Sequence, residues 1–187
     1  MNLSKTTGWL LVIGVIGGMA LGFSNETASA DWTSDAAMLA ALSTNVDWTK
    51  LSLMLSAIAQ VFIVIGMVGI RDAMSGGVGH KYASMAIWFL AIGATTNLLW
   101  SAMMGLTGDQ WSTKTSLEAA AAAAAGAGNA EGAAAAAAGA GIAGGVAVSA
   151  WATALAFGAT TNLTTVSYTH LRAHETDSYL VCRLLLE

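Results

Sequence analysis

Cysteine, histidine and charge are scarce in this chain of 187 residues: it has one cysteine, three histidines, and seven Lys or Arg against eleven Asp or Glu. Cys182, His170 and His174 all lie beyond residue 169. Upstream of residue 166 there is therefore no disulfide framework, thiol nucleophile or cysteine–metal site. The one histidine left there, His80, sits beside Lys81 and reads as a solvated loop residue, not a ligand or pH switch. No basic patch marks a nucleic-acid surface. No nucleophile–base arrangement, carboxylate pair or metal-ligand spacing is visible, so the expectation is no enzyme, no metal and no cofactor. The glycines form no phosphate loop, because no Gly-Lys-Ser/Thr follows them and no dinucleotide-binding context surrounds them.

What is present is apolar length. Leu51–Ile70 carries no charge, one strongly polar side chain (Gln60) and eleven Leu, Ile, Val or Phe residues. At about −0.3 to −0.6 kcal/mol each on an insertion scale, these outweigh the cost of Gln60 and the small residues. Arg71, Asp72, the pair Gly76–Gly77, His80 and Lys81 follow as a charged turn. Tyr82–Leu106 is again uncharged, with Thr95, Thr96 and Asn97 in its middle. An α-helix rises about 1.5 Å per residue, so roughly 20 apolar residues cross a bilayer, and both runs are long enough. Met54, Met67, Met85, Met103 and Met104 read as packing residues, not as a copper path.

Residues 1–30 support two readings. Lys5, an apolar core from Trp9 to Phe23 and Ala28-Ser29-Ala30 before Asp31 fit a cleaved signal peptide. Gly14, Gly18 and Gly22 recur every four residues and fit a retained span whose glycine stripe admits a neighbouring backbone. Segment 31–50 is acidic and extracytoplasmic in both readings. It holds the triplet DWT twice, at Asp31–Thr33 and Asp47–Thr49, where Asp or Thr would cap helix starts and tryptophan would sit at headgroup level. A short interfacial helix over Asp35–Leu42 is expected before the 51–70 span. The basic residues lie at Lys5 and in the 71–81 loop, with acidic segments opposite, so the positive-inside rule puts the N-terminus and that loop in the cytoplasm.

Glu118–Gly145 is low in complexity, with seven alanines at 119–125 and six at 133–138. Alanine favours helix and the interspersed glycines oppose it, so an imperfect helix is expected, wettest at Asn129 and Glu131. Gly141 and Gly145, continued by Ser149 and Thr153, give a small-residue stripe entering a last span. That span repeats an earlier one: Gly93–Leu98 reads GATTNL, and so does Gly158–Leu163 sixty-five residues later. Leu90-Ala91 also matches Leu155-Ala156, and Ser84 matches Ser149. Two spans of common ancestry crossing in opposite directions would explain this; a duplication introduced by sequence assembly is the other explanation.

Gln60, Thr95, Thr96, Asn97, Thr160, Thr161 and Asn162 are then the clustered polar groups at membrane depth. They are expected either to fix helix register as interhelical hydrogen bonds or to line a polar path. Gly93 and Asn97 share a helix face, so a partner helix could approach the amide closely, and Gly158 is counted with the helix-packing glycines.

Two resemblances complete the reading. VSYTHLRAHET (Val166–Thr176) and LVCRLLLE (Leu180–Glu187), with Asp177, Ser178 and Tyr179 between them, resemble a translated transposase-type sequencing adapter with its index position. The resemblance implies that residues 166–187 are not native and that the natural chain is cut short inside a helix at Thr165. Residues 1–165 resemble small uncharacterised four-helix membrane proteins, in layout alone. The expected fold is all-α: an integral membrane antiparallel bundle of three or four helices near 8–23, 51–70, 82–106 and 141–165. Its partners would be the lipid bilayer and a second copy or another membrane protein. The expected role is a helix-packing interaction or assembly module, with a small-solute channel or transporter as the alternative.

Overall fold

A computed structural model describes the backbone of residues 5–74 and 78–184 and the side chains of residues 5–74 and 79–163. Gly76–Gly77 and the side chains of the adapter-like tail, with His170, His174 and Cys182, lie outside the described residues. The fold is all-α. Lys5–Phe23 forms one rod, made of α1 (Lys5–Val12), a π-helical turn (Ile13–Gly17) and α2 (Gly18–Phe23). After a 3₁₀ turn at Glu26–Ala28 come α3 (Asp35–Thr44), α4 (Val46–Ala73), α5 (Val78–Gly126) and α6 (Ala130–Leu184). Among the described residues four helices are long and apolar enough to cross a membrane: Lys5–Phe23, Val46–Ala73, Gly79–Gly126 and Ala130–Leu163.

Local chemistry explains the boundaries. Ser34 caps α3 by accepting from Ala37 N–H at 3.3 Å, and Asn45 caps α4 by accepting from Trp48 N–H at 3.4 Å. The DWT triplets therefore do not supply the caps. Asp31 closes a turn on Thr33 instead, and Asp47 sits in the first turn of α4, where an acid complements the helix dipole. The chain has no proline, so nothing interrupts α5 over its 49 residues. The alanine–glycine tract is not a single imperfect helix. It folds as the distal ends of α5 and α6, joined at residues 127–129, where Gly128 takes φ +76° and Asn129 Oδ1 accepts from Gly132 N–H at 2.9 Å.

The long helices pack side by side in chain order. The α1–α2 rod lies on α4, α4 on α5, and α5 on α6, while α4 and α6 share no packed interface among the described residues. Glycine sets the first contact. A Cβ on Gly14 would stand 2.6 Å from Ile63 Cγ1 and 2.8 Å from Ala59 O, and one on Gly66 would stand 2.6 Å from Leu11 Cγ. Ser56 Oγ donates to Gly18 O at 3.2 Å across the same seam. Gly14 and Gly18 thus lie against α4, whereas an added Cβ on Gly22 meets nothing within 4 Å. Along α5 and α6 the contacts run antiparallel: Leu117 meets Gly139, Lys114 meets Gly144, and Trp100 meets Gly158. Gly139 and Gly144 are the packing glycines here. An added Cβ on Gly141 or Gly145 meets nothing within 4 Å, because the alanine row Ala140, Ala143, Ala147, Ala150 and Ala154 is the one that turns inward.

α3, the short helix expected ahead of the 51–70 span, packs into the bundle. Met38 and Leu42 are fully buried, and they join Leu39, Leu53, Met104, Trp151 and Ala154 in the one apolar core described. A Cβ on Gly108 would lie 2.6 Å from Leu42 O, and Trp151 Nε1 donates to Asp35 Oδ1 at 3.0 Å, so α3 touches both α5 and α6. Elsewhere the apolar surface is open: Trp88 is 73% exposed, Phe23 71%, Leu163 68% and Trp9 64%. Such a surface is compatible with a membrane protein and exceeds what soluble monomers display.

Candidate functional site

The seven polar residues at mid-height separate into three groups. Thr95 and Thr160 are exposed and bond back to their own helices, at Ala91 O (2.9 Å) and Ala156 O (3.0 Å). Thr96 and Thr161 meet, with their hydroxyl oxygens 2.8 Å apart. Gln60 and Asn97 are half-buried and Asn162 is exposed, and none of these three amides has a hydrogen bond among the described residues. The interhelical bond expected of Gln60 is absent there.

The Thr96–Thr161 contact joins the corresponding positions of the two GATTNL copies, 65 residues apart. In an antiparallel pair, equivalent residues in contact imply a local two-fold axis perpendicular to both helices. Such an axis carries Asn97 onto Asn162 and keeps both on the same side of the pair. Gly93, on α5, is buried, and Gly158 receives Trp100, whose Cδ1 would be 3.2 Å from an added Cβ.

Helical phase identifies that side. Asn97 lies eleven residues from Gly108, and Asn162 lies eleven from Trp151. Eleven residues make about three turns, so each amide falls within about 20° of a residue that touches α3. Both therefore sit on the α3 face, about 16 Å along the helices from it. Gln60 lies seven residues, two turns, from Leu53, which is buried in the core with α3. The approach of Lys50 to Gly105 and its 2.7 Å ion pair with Asp109 fix the α4–α5 register, which sets Gln60 level with Asn97. Three neutral amides thus occupy one stratum beneath α3, with α5 as floor and α4 and α6 as flanks.

A second polar layer lies at the α3 end and was missed in the sequence reading. Asn25, Thr27, Thr49, Ser52, Ser101 and Thr107 are all buried. Asn25 Nδ2 donates to Ser52 Oγ at 3.1 Å, Thr27 Oγ1 bonds Asn25 Oδ1, Ser52 Oγ donates to Thr49 O at 3.0 Å, and Thr107 Oγ1 donates to Met103 O at 2.8 Å. The Thr49 and Ser101 hydroxyls have no partner among the described residues. The i, i+3, i+7 hydroxyl row Thr49–Ser52–Ser56 was the available signal. Small hydroxyls in a helix let backbones approach and satisfy themselves on nearby carbonyls, so this layer reads as structural.

Outside the long apolar helices, Thr33 donates to Asp31 from both its hydroxyl and its backbone N–H, and these bonds hold the Asp31 carboxyl below its ordinary value of 3.8. Lys114 pairs with Glu118 at 2.7 Å and lies 4.6 Å from the Trp111 ring, beside a shallow recess between α5 and α6 lined by Ala121, Ala137 and Gly144. Among the described residues no three His, Cys, Asp or Glu side chains come together as a metal site. No protein-family model, curated protein or solved structure matches the chain.

Proposed function

We propose that this chain is a multi-pass membrane protein whose role is lateral assembly: it packs helices against a second copy or another membrane protein. The carrying observation is the open row of helices. Among the described residues α4 and α6 flank α5 without a packed interface of their own, and the face between them holds three amides with no hydrogen-bond partner. In hydrocarbon an unsatisfied amide costs several kcal/mol, so that face calls for a polar neighbour. The N-terminus and the 71–81 loop are read as cytoplasmic, from Lys5, Arg71 and Lys81, with α3 and the 127–129 turn on the other side. The glycine-built seam between the α1–α2 rod and α4 supports retention of residues 5–23 as a span. Residues 166–187 are read as adapter-derived, which resequencing of the locus from intact DNA tests.

The same three amides favour a second reading, a neutral-solute path closed by several copies around this face. Reconstitution in liposomes separates the two. Assembly predicts a fixed multimer with no flux of a small neutral solute such as urea. A path predicts flux that Asn97→Leu with Asn162→Leu abolishes while folding persists. A chain that stays monomeric in bilayers, co-isolates with no membrane protein and passes no solute would remove both readings.

A further inference from the structure

We infer that the stratum formed by Gln60, Asn97 and Asn162 is a homodimer interface, occupied by the same face of a second copy; this rests on the assembly reading above. Asn162 is exposed at mid-height of α6, so no enclosed pocket surrounds it that a small ligand could fill. Its neighbour must be as extended as the face itself, which a helix is. The two-fold relation through Thr96 and Thr161 puts Asn97 and Asn162 side by side, and each carboxamide carries both donors and acceptors. Such a surface complements a copy of itself. No Asp, Glu, Lys or Arg occurs between Lys81 and Asp109 or between Glu131 and Leu163, so a charged partner would find no counter-ion there. A neutral, self-matching patch is what a symmetric pair requires, because the same residues must meet across the axis. Leu90 and Leu155, each seven residues before its asparagine, lie on the same side and supply apolar contact above and below the amides. α3 closes this face at one end, which confines the partner to the stratum beneath it.

Single-cysteine cross-linking in membranes holding the full chain, on a Cys182→Ser background, tests this. Asn162→Cys should give an oxidant-dependent dimer. Thr160→Cys, at the same height but about 160° around α6, should not. Asn97→Leu and Asn162→Leu should each weaken dimerisation in lipid by about eight- to three-hundredfold, the factor two interhelical hydrogen bonds are worth, because each bond recurs across the two-fold axis. Retained helix content and an intact α3 in the variants would show that the monomer still folds. Dimers captured through Gly141→Cys or Gly17→Cys but not Asn162→Cys would overturn the interface and leave the assembly reading standing. A chain monomeric at every position would overturn the inference, and the co-isolation experiment above would then decide the assembly reading by itself.

Discussion

Replacing Gly14 by alanine tests the close approach of the α1–α2 rod to the backbone of α4. The new Cβ would lie 2.8 Å from the carbonyl oxygen of Ala59, which is 0.6 Å short of the 3.4 Å at which such contact becomes ordinary. Ile63 Cγ1, at 2.6 Å, could rotate away, but a carbonyl inside α4 cannot move without the helix. The α1–α2 rod must therefore lift from α4, loosening the Leu11–Gly66 and Thr7–Gly69 contacts along the same seam. Overpacking of this kind costs about 1–3 kcal/mol. Gly17→Ala is the matched control, because an added Cβ there meets nothing within 4 Å. Reversible unfolding in detergent should show Gly14→Ala destabilised by about 1–3 kcal/mol and Gly17→Ala unchanged within about 0.5 kcal/mol. Amide exchange over residues 5–12 should quicken in Gly14→Ala. Equal stability of the two alanine variants, with that exchange unchanged, would refute the close approach.

Trp151→Phe removes the indole donor from Asp35 and should loosen α3 by about 1.5–3 kcal/mol, the usual worth of a hydrogen bond to a charged group, seen as faster amide exchange over residues 35–44. Asp31 should titrate below 3.8 by carboxyl NMR, and Thr33→Val should move it back upward. With its pKa lowered on folding, Asp31 favours the folded turn above its unfolded pKa and loses that contribution as pH falls through the folded value, so only strongly acidic conditions should open the turn. The intact mass of membrane-extracted protein should include residues 1–30; a start at Asp31 would refute the retained span. Thr96→Val should destabilise the α5–α6 pair by about 0.5–1.5 kcal/mol in detergent, and an unchanged midpoint would show that the hydroxyl contact carries no stability.

The sequence by itself determined the helical class and the long apolar runs, three or four in number. Each of these follows from local composition: an uncharged run such as Leu51–Ile70 is helical in lipid whatever its neighbours are. Helix limits were less legible. The distal parts of α5 and α6 support each other through Leu117 on Gly139 and Lys114 on Gly144, so helix persists through a glycine-rich tract whose propensity alone is indifferent. Only the tertiary structure decided which glycines pack. The small-residue stripe through Gly141 and Gly145 was legible, but one helix cannot tell its partner side from its open side, and the alanine row Ala140–Ala154 took the inside. The same holds for the polar cluster. Residue type marked Thr96 and Asn97 alike, yet a 100° step between successive helix positions turns one toward α6 and sends the other to the face beneath α3. Facing is a property of pairs of helices, set by their register and angle, and no single segment carries it.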